Sequence, residues 1–365
     1  MIDWDRFHDW REVTDYLNSA YPTVENRPLW ALCLLPKAPI RDLPKLAERR
    51  SFKVSSFRIT LMQKTDDLWI IRMQYKGRIR ERKVAIACRV VENGWILLFN
   101  TKTELGLTRV LLRRLYPHVS RAHLKSPAIE ELTRRLLPSD LYYIKAIGCQ
   151  AIRPSQKQPR DVERSSSTSA TLSGPETQGL LDLIREHVSN VWVDNLEFEV
   201  REKRTDEALM TALVSRDGLC RVEARPGAFD LFEKMLEGVV NLGRTRESSF
   251  ARMDRIVVAG EVRISPVRVL YDQNIQQFQI RQISHDLTTR RIASIIHSGN
   301  PYFLAIAQDY SDGSTFSVAI LDDTLTVVPI RQNSDAAFVR ILDMFYARIG
   351  EGKEQLPFDQ VTREA

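Results

Sequence analysis

Apolar residues at the start of the chain recur at helical spacing. Trp4, Phe7, Trp10, Val13 and Leu17 share one stripe, which predicts an amphipathic opening helix. A proline-punctuated stretch over 22–44 and a short helical segment near 42–50 follow. The period then changes to two. Runs over 57–62, 68–75, 83–91 and 95–100 are rich in β-branched and aromatic residues, and Asp66-Asp67, Lys76-Gly77 and Glu92-Asn93-Gly94 separate them. This pattern predicts a strand meander. In its second run Trp69, Ile71, Met73 and Tyr75 alternate with Ile70, Arg72 and Gln74. One apolar face toward a core and one cationic face outward are therefore expected. Helices near 106–116 and 127–137 close this half, the second with Ser126 as N-cap and Pro127 at its first position.

From 153 to 176 Ser, Gln, Pro and Gly dominate and branched apolar residues are scarce. Such a stretch cannot bury enough surface to offset the cost of ordering it, so a flexible linker is expected, with a long surface loop as the alternative. Beyond it the pattern predicts a helix over 177–189, strands over 195–203, 207–215 and 219–224, and a helix over 227–240. Strands over 255–264, 266–271 and 276–283 come next, then two hairpins over 302–330 with turns at Asp312-Gly313 and Asp322-Asp323. A last helix over 335–349 buries Phe338, Ile341, Leu342, Phe345 and Ile349 and ends at Gly350. The expected fold class is α+β, with two domains over 1–152 and 177–365, each a largely antiparallel β-meander with packed helices, and a linker over 153–176. Each half holds a meander followed by a helix, which leaves a duplication open.

Length changes this picture little: 365 residues exceed what one core usually serves. At 43% hydrophobic and 27% charged residues, disorder of the whole chain is excluded. No signal-peptide pattern opens the sequence and no apolar run reaches membrane-span length, so a cytoplasmic protein with no membrane partner is expected. Cys33, Cys88, Cys149 and Cys220 lie scattered without metal-ligand spacing and read as buried thiols in a reducing compartment, with no metal and no cofactor.

Charge changes more. Residues 1–150 hold 27 Lys+Arg against 16 Asp+Glu, a net of +11, whereas residues 178–365 hold 22 against 28, a net of −6. Arginine preference does not explain the split, because the acidic half is the more arginine-biased, with 19 Arg to 3 Lys. A basic domain that meets a polyanion or an acidic partner is expected. Its candidate nucleic-acid-binding residues are Arg72, Lys76, Arg78, Arg80, Arg82 and Lys83 on the meander, with Arg89 nearby. Arg109, Arg113, Arg114, Arg121 and Lys125 on and around the two helices join them, beside Arg134, Arg135, His118 and His123. Such cations would track a phosphate backbone by releasing counterions. The loop 117–123 between the helices is too long for the usual helix-turn-helix turn.

Catalytic patterns are weaker. Asp66, Asp67, Glu81 and Lys83 fit the loose D…E-x-K outline of metal-dependent nucleases, but an E-x-K arises about once by chance in a chain of this composition. Ser284-His285-Asp286 are neighbours in sequence, whereas a triad assembles from separate segments. Asp309, Asp312, Asp322 and Asp323 read as turn residues. No catalytic residue is assigned. The expectation is a non-enzymatic nucleic-acid-binding or adaptor protein, an accessory subunit of a DNA- or RNA-processing or prokaryotic antiviral defence complex. Its C-terminal domain would serve a protein partner or a homo-oligomer. Two alternatives stand beside it: a structural subunit whose basic and acidic halves pair with each other or between copies, and a metal-dependent nuclease.

Overall fold

Strands in which nearly every position is apolar, such as Leu29–Pro36 and Gly94–Phe99, demand cover on both faces of their sheet. The computed structural model provides it. It describes residues 2–19, 28–48, 56–76, 81–115, 118–135, 141–154, 167–173, 179, 182, 192–251, 256–258, 261–263, 266–289, 293–298, 302–309, 313–331 and 334–355. After a 3-10 turn at Trp4–Arg6 come α1 (Trp10–Ser19), β1 (Leu29–Pro36), α2 (Leu43–Glu48), β2 (Ser56–Gln63), β3 (Leu68–Lys76), β4 (Glu81–Val91) and β5 (Gly94–Phe99). Next are α3 (Lys102–Leu115), β6 (Val119–Arg121), α4 (Ser126–Arg135), β7 (Tyr142–Pro154) and β8 (Ser167–Ser173). Then follow β9 (Trp192–Glu202), β10 (Ala208–Ser215), β11 (Leu219–Ala224), α5 (Phe229–Ala251), β12 (Ile256–Val258) and β13 (Glu261–Arg263). The chain continues through β14 (Val267–Leu270), α6 (Gln277–Thr289), β15 (Ala293–Ser298) and β16 (Tyr302–Gln308). It closes with β17 (Thr315–Leu321), β18 (Thr324–Arg331), α7 (Asp335–Ile349) and β19 (Lys353–Gln355). The fold is α+β, and the strand pairs whose register is defined are antiparallel.

Two units form. Unit 1 comprises residues 1–149, 172–178 and 193–246, and unit 2 comprises 150–171, 179–192 and 247–365. The expected break at 153–176 is not where the strands stop: β7 runs through Pro154 and residues 167–173 form β8. Strands β9, β10 and β11, expected in the C-terminal domain, join the N-terminal sheet, whose order is β2-β3-β4-β5-β1-β11-β10-β9-β7-β8 with β6 also on β1. The reason is an open edge. β1 pairs with β5 on one side, and its first residues pair with β11 on the other, Leu29 opposite Val222 and Leu32 opposite Leu219.

Both faces of the unit 1 sheet bury apolar residues. On one, Leu32, Leu34, Trp69, Ile71, Met73, Ile86, Trp95, Leu97 and Phe99 pack with Leu43 and Ala47 of α2 and Leu107, Leu111 and Leu115 of α3. On the other lie the buried Leu68, Ile70, Ala87, Ile96 and Leu98. Here the expected outward cationic face is confined to one end of β2, β3 and β4, because α5 approaches the other part of this side. Cys33 Sγ lies 3.6 Å from the Leu236 carbonyl oxygen, and a side chain at Gly94 would strike Val240 and the Leu34 carbonyl. Asn18 of α1 accepts the Phe229 N–H at 2.7 Å and so caps the start of α5.

Unit 2 holds a six-stranded sheet in the order β15-β16-β17-β18-β14-β19 and the hairpin β12-β13. Its core gathers Val267, Val269, Phe303, Ala305, Phe316, Val318, Leu325 and Val327 under Ile280, Ile283 and Leu287 of α6 and Leu342, Phe345 and Ile349 of α7. The strand expected over 276–283 is therefore helical. Phe278 and Ile280 imitate alternation, but Ile280, Ile283 and Leu287 form the buried stripe, and Gln279 reaches back to accept the Gln276 N–H at 2.8 Å.

The two meanders share one topology. A strand (β1 or β14) pairs with the last strand of a four-strand meander (β2–β5 or β15–β18), a helix follows (α3 or α7), and a short strand (β6 or β19) adds to the first strand. The register matches too. Val91 faces Gly94 as Leu321 faces Thr324, and Leu34 faces Trp95 and Arg121 as Val269 faces Leu325 and Glu354. The two modules therefore match in strand order, pairing and register.

Candidate nucleic-acid interface

Residues directly opposite each other in antiparallel strands share a face, and a shift of one residue exchanges faces. Across β2, β3 and β4 the rows are Arg58–Gln74–Lys83, Thr60–Arg72–Ala85 and Ser56–Lys76–Glu81. Arg58, Arg72, Lys76 and Lys83 thus lie together on the face away from α3. Arg82 stands opposite Tyr75 and falls on the α3 face with Met73 and Val84. The expected grouping of Arg82 with Arg72 is corrected. The register Lys76–Glu81 sets the parity, and the sequence did not disclose the length of the connection between them. Arg78 and Arg80, together with the side chains of Arg113, Arg134 and Arg135, lie outside the described residues.

Several of the other cations have partners inside unit 1. Arg72 holds the Asp5 carboxylate through Nε at 3.2 Å and Nη2 at 3.0 Å. Arg89 pairs with Glu233 and, at 2.9 Å, with Glu237, while its guanidinium lies 5.0 Å from the Trp10 ring centre. Trp10 Nε1 donates to the same Glu233. Burial pushes the Glu233 carboxyl above the usual range, and Arg89 and the indole N–H oppose that rise. Arg121 pairs with Asp217. Arg114 is 5% exposed. It donates to the Ala47 carbonyl at 3.4 Å and lies 4.9 Å from the Phe57 ring centre, so it serves the core and not an open surface. Burial lowers its pKa.

What stays exposed is narrower than expected. Arg58, Lys76, Lys83 and Arg82 surround one end of the meander, Arg72 is exposed on the same face while holding Asp5, and Arg109 is exposed on α3. Lys83 keeps Glu81 at 3.2 Å, and Glu81 also accepts from Gln74 Nε2 at 2.6 Å. The Gln74 donation first, then Lys83, holds the Glu81 carboxyl below its ordinary range. Arg58 escaped the sequence reading, although its alternation with the buried Phe57 and Ile59 marks it as outward. Lys125 is half-buried, and its carbonyl accepts the Ala128 and Ile129 N–H groups. His118 is exposed and His123 half-buried in the connection between α3 and α4, which contains β6 and so pairs with β1.

The nuclease outline is not assembled. Asp66 and Asp67 sit in the turn before β3, accepting from Gln63 and Thr65, while Glu81 stands opposite the last residue of β3. The nine-residue β3 separates them by roughly 30 Å, at about 3.4 Å per residue. Among the described residues no group of three or more His, Cys, Asp or Glu could hold a metal ion. Ser284 Oγ donates to the Ile280 carbonyl within α6, and Asp286 accepts from Arg348 Nε at 2.7 Å, so the Ser-His-Asp neighbours have separate roles. Asp309 accepts from Arg340 at 2.9 and 3.1 Å, Asp322 takes a left-handed turn conformation at φ 52°, and Asp312 lies outside the described residues.

By unit, 36 basic residues face 28 acidic ones in unit 1, a net of +8, against 17 and 19 in unit 2, a net of −2. Among the described residues no helix is long and apolar enough to cross a membrane. No protein-family model matches the chain, and no curated protein matches it either.

Proposed function

We propose that this protein is a non-enzymatic binding protein that holds a nucleic-acid backbone at the basic end of the unit 1 meander. In this reading it is an accessory subunit of a DNA- or RNA-processing or prokaryotic defence assembly. The supporting observation is the exposed set Arg58, Lys76 and Lys83 on adjacent strands of one sheet face, with Arg82 on the other face of the same end. Neighbouring strands stand about 4.8 Å apart, so these cations are spaced for separate phosphates along one strand. The core of the reading is electrostatic and carries no base recognition.

A salt titration of the full chain against labelled single-stranded DNA and RNA tests it. The expected result is binding at about 50 mM salt that weakens log-linearly toward about 200 mM. Lys76→Glu with Lys83→Glu should weaken every sequence alike and reduce the slope by roughly 0.7 for each lost phosphate contact. Arg109→Glu reads the helix contribution separately. Absence of binding at low salt, or a flat slope, overturns the proposal.

A second reading, a structural subunit whose basic and acidic halves pair, is favoured by Arg89 with Glu233 and Glu237 and by Arg121 with Asp217. Each pair joins the basic N-terminal stretch to the acidic C-terminal one. In that case nucleic acid is ignored, and rising salt lowers the stability of the chain itself.

A further inference from the structure

The shared topology allows the same sheet face to be followed in both units. Leu68, Ile70, Ala87, Ile96 and Leu98 of unit 1 hold the positions that Leu304, Ile306, Ser317, Thr326 and Val328 hold in unit 2. In unit 1 all five are buried to 1% exposure or less. Helix α5 contributes to that cover. It sets the buried Phe232, Leu236 and Val240 on one side, and its Glu233 and Glu237 meet the cation Arg89 that rises from the same face.

In unit 2 the face is apolar but open. Leu304, Ile306 and Val328 are half-buried, Leu321 is 50% exposed, Ile330 39% and Tyr302 38%. An apolar surface of this kind marks an interaction site more often than a free surface. Its charges have one sign. Arg268 lies in the row of Leu304 and Thr326, and Lys353 lies in the row of Leu321 and Thr324; both are exposed, and neither row contains a carboxylate. An acidic occupant complements this face, whereas a second copy of it would set Arg268 and Lys353 against like charge.

We propose that this face of unit 2 receives an acidic amphipathic helix from a partner protein, seated on the sheet as α5 is seated in unit 1. An i, i+3/i+4 apolar stripe would cover Leu304, Ile306, Leu321 and Val328, and flanking Glu or Asp residues would meet Arg268 and Lys353. Residues 229–243 supply a probe with the required chemistry, because they already cover the matching face and carry Asp230, Glu233 and Glu237 against the one cation Lys234. A fluorescently labelled peptide of that sequence is titrated into the full chain and followed by anisotropy. Saturable binding is expected. It should weaken roughly tenfold or more in Leu321→Asp and in Arg268→Glu with Lys353→Glu, while melting temperature and circular dichroism stay unchanged because all three side chains are exposed. Failure of the peptide to bind, or equal binding to both variants, overturns the proposal. A dimer of the full chain that Leu321→Asp dissolves also overturns it, since the occupant would then be a second copy.

Discussion

Arg89 shows how a residue that reads as surface charge becomes half-buried and paired. Its sequence neighbours place it in a basic meander, yet it meets Glu233 and Glu237 and lies over Trp10. Removing one partner of such a half-buried pair leaves the other charge poorly compensated, so Arg89→Met should cost about 1 to 3 kcal/mol at neutral pH. The pH dependence has a definite sign. Burial already raises the Glu233 carboxyl above its model-peptide value, and losing Arg89 raises it further. The native state then holds that proton more tightly than the unfolded state, so the variant loses stability as pH rises from about 4.3 through the folded pKa. Urea unfolding of both proteins at about pH 5 and pH 7.5 should show the smaller difference at the lower pH. A difference that grows on acidification contradicts the assignment. None of this was legible at residue 89, because the acidic partners lie 144 and 148 positions further along the chain.

At the scale of elements, local chemistry was readable where it was self-contained. Helix α3 starts at Lys102, four residues before the hydrophobic period suggests, because Thr101 and Glu104 form a capping box. Glu104 accepts the Asn100 and Thr101 N–H groups at 2.8 Å, and Thr101 Oγ1 accepts the Glu104 N–H at 3.2 Å. Burial pushes this carboxyl up, with the two backbone donors opposing. The turn between β10 and β11 is equally local. Gly218 has φ +73°, and a Cβ there would come within 2.7 Å of the Ala122 carbonyl oxygen. Gly218→Ala should therefore destabilise the fold by about 1 to 3 kcal/mol, read as a shift in the urea midpoint at constant m. An unchanged midpoint would mean that the turn relaxes freely. Strands β1, β6, β7, β8, β15 and β19 were missed, and α6 was read as a strand. Each is short, wholly apolar or ambiguous in period, and its state is chosen by the neighbour it pairs with or covers.

For the whole molecule, the open edge of β1 and the cover supplied by α5 tie residues 193–246 to the N-terminal sheet. A fragment ending at residue 150 should expose Ala31, Cys33, Ile70 and Leu98 and bind a hydrophobic dye without a cooperative melt. A fragment of residues 1–246 should melt cooperatively; a cooperative transition in the shorter piece would contradict this dependence. By itself the sequence determined the α+β class, most strands of the two meanders and their closing helices, and the alternation of side chains within each strand it recognised. Those follow from periods of 2.0 and 3.6 and from turn residues, which act over a few positions. Only the tertiary structure decided which strands share a sheet, which face each arginine takes, and which of the +11 charges are matched from within. Register and long-range ion pairing depend on segments that meet only after folding, so the basic half surrendered part of its charge to residues far along the chain.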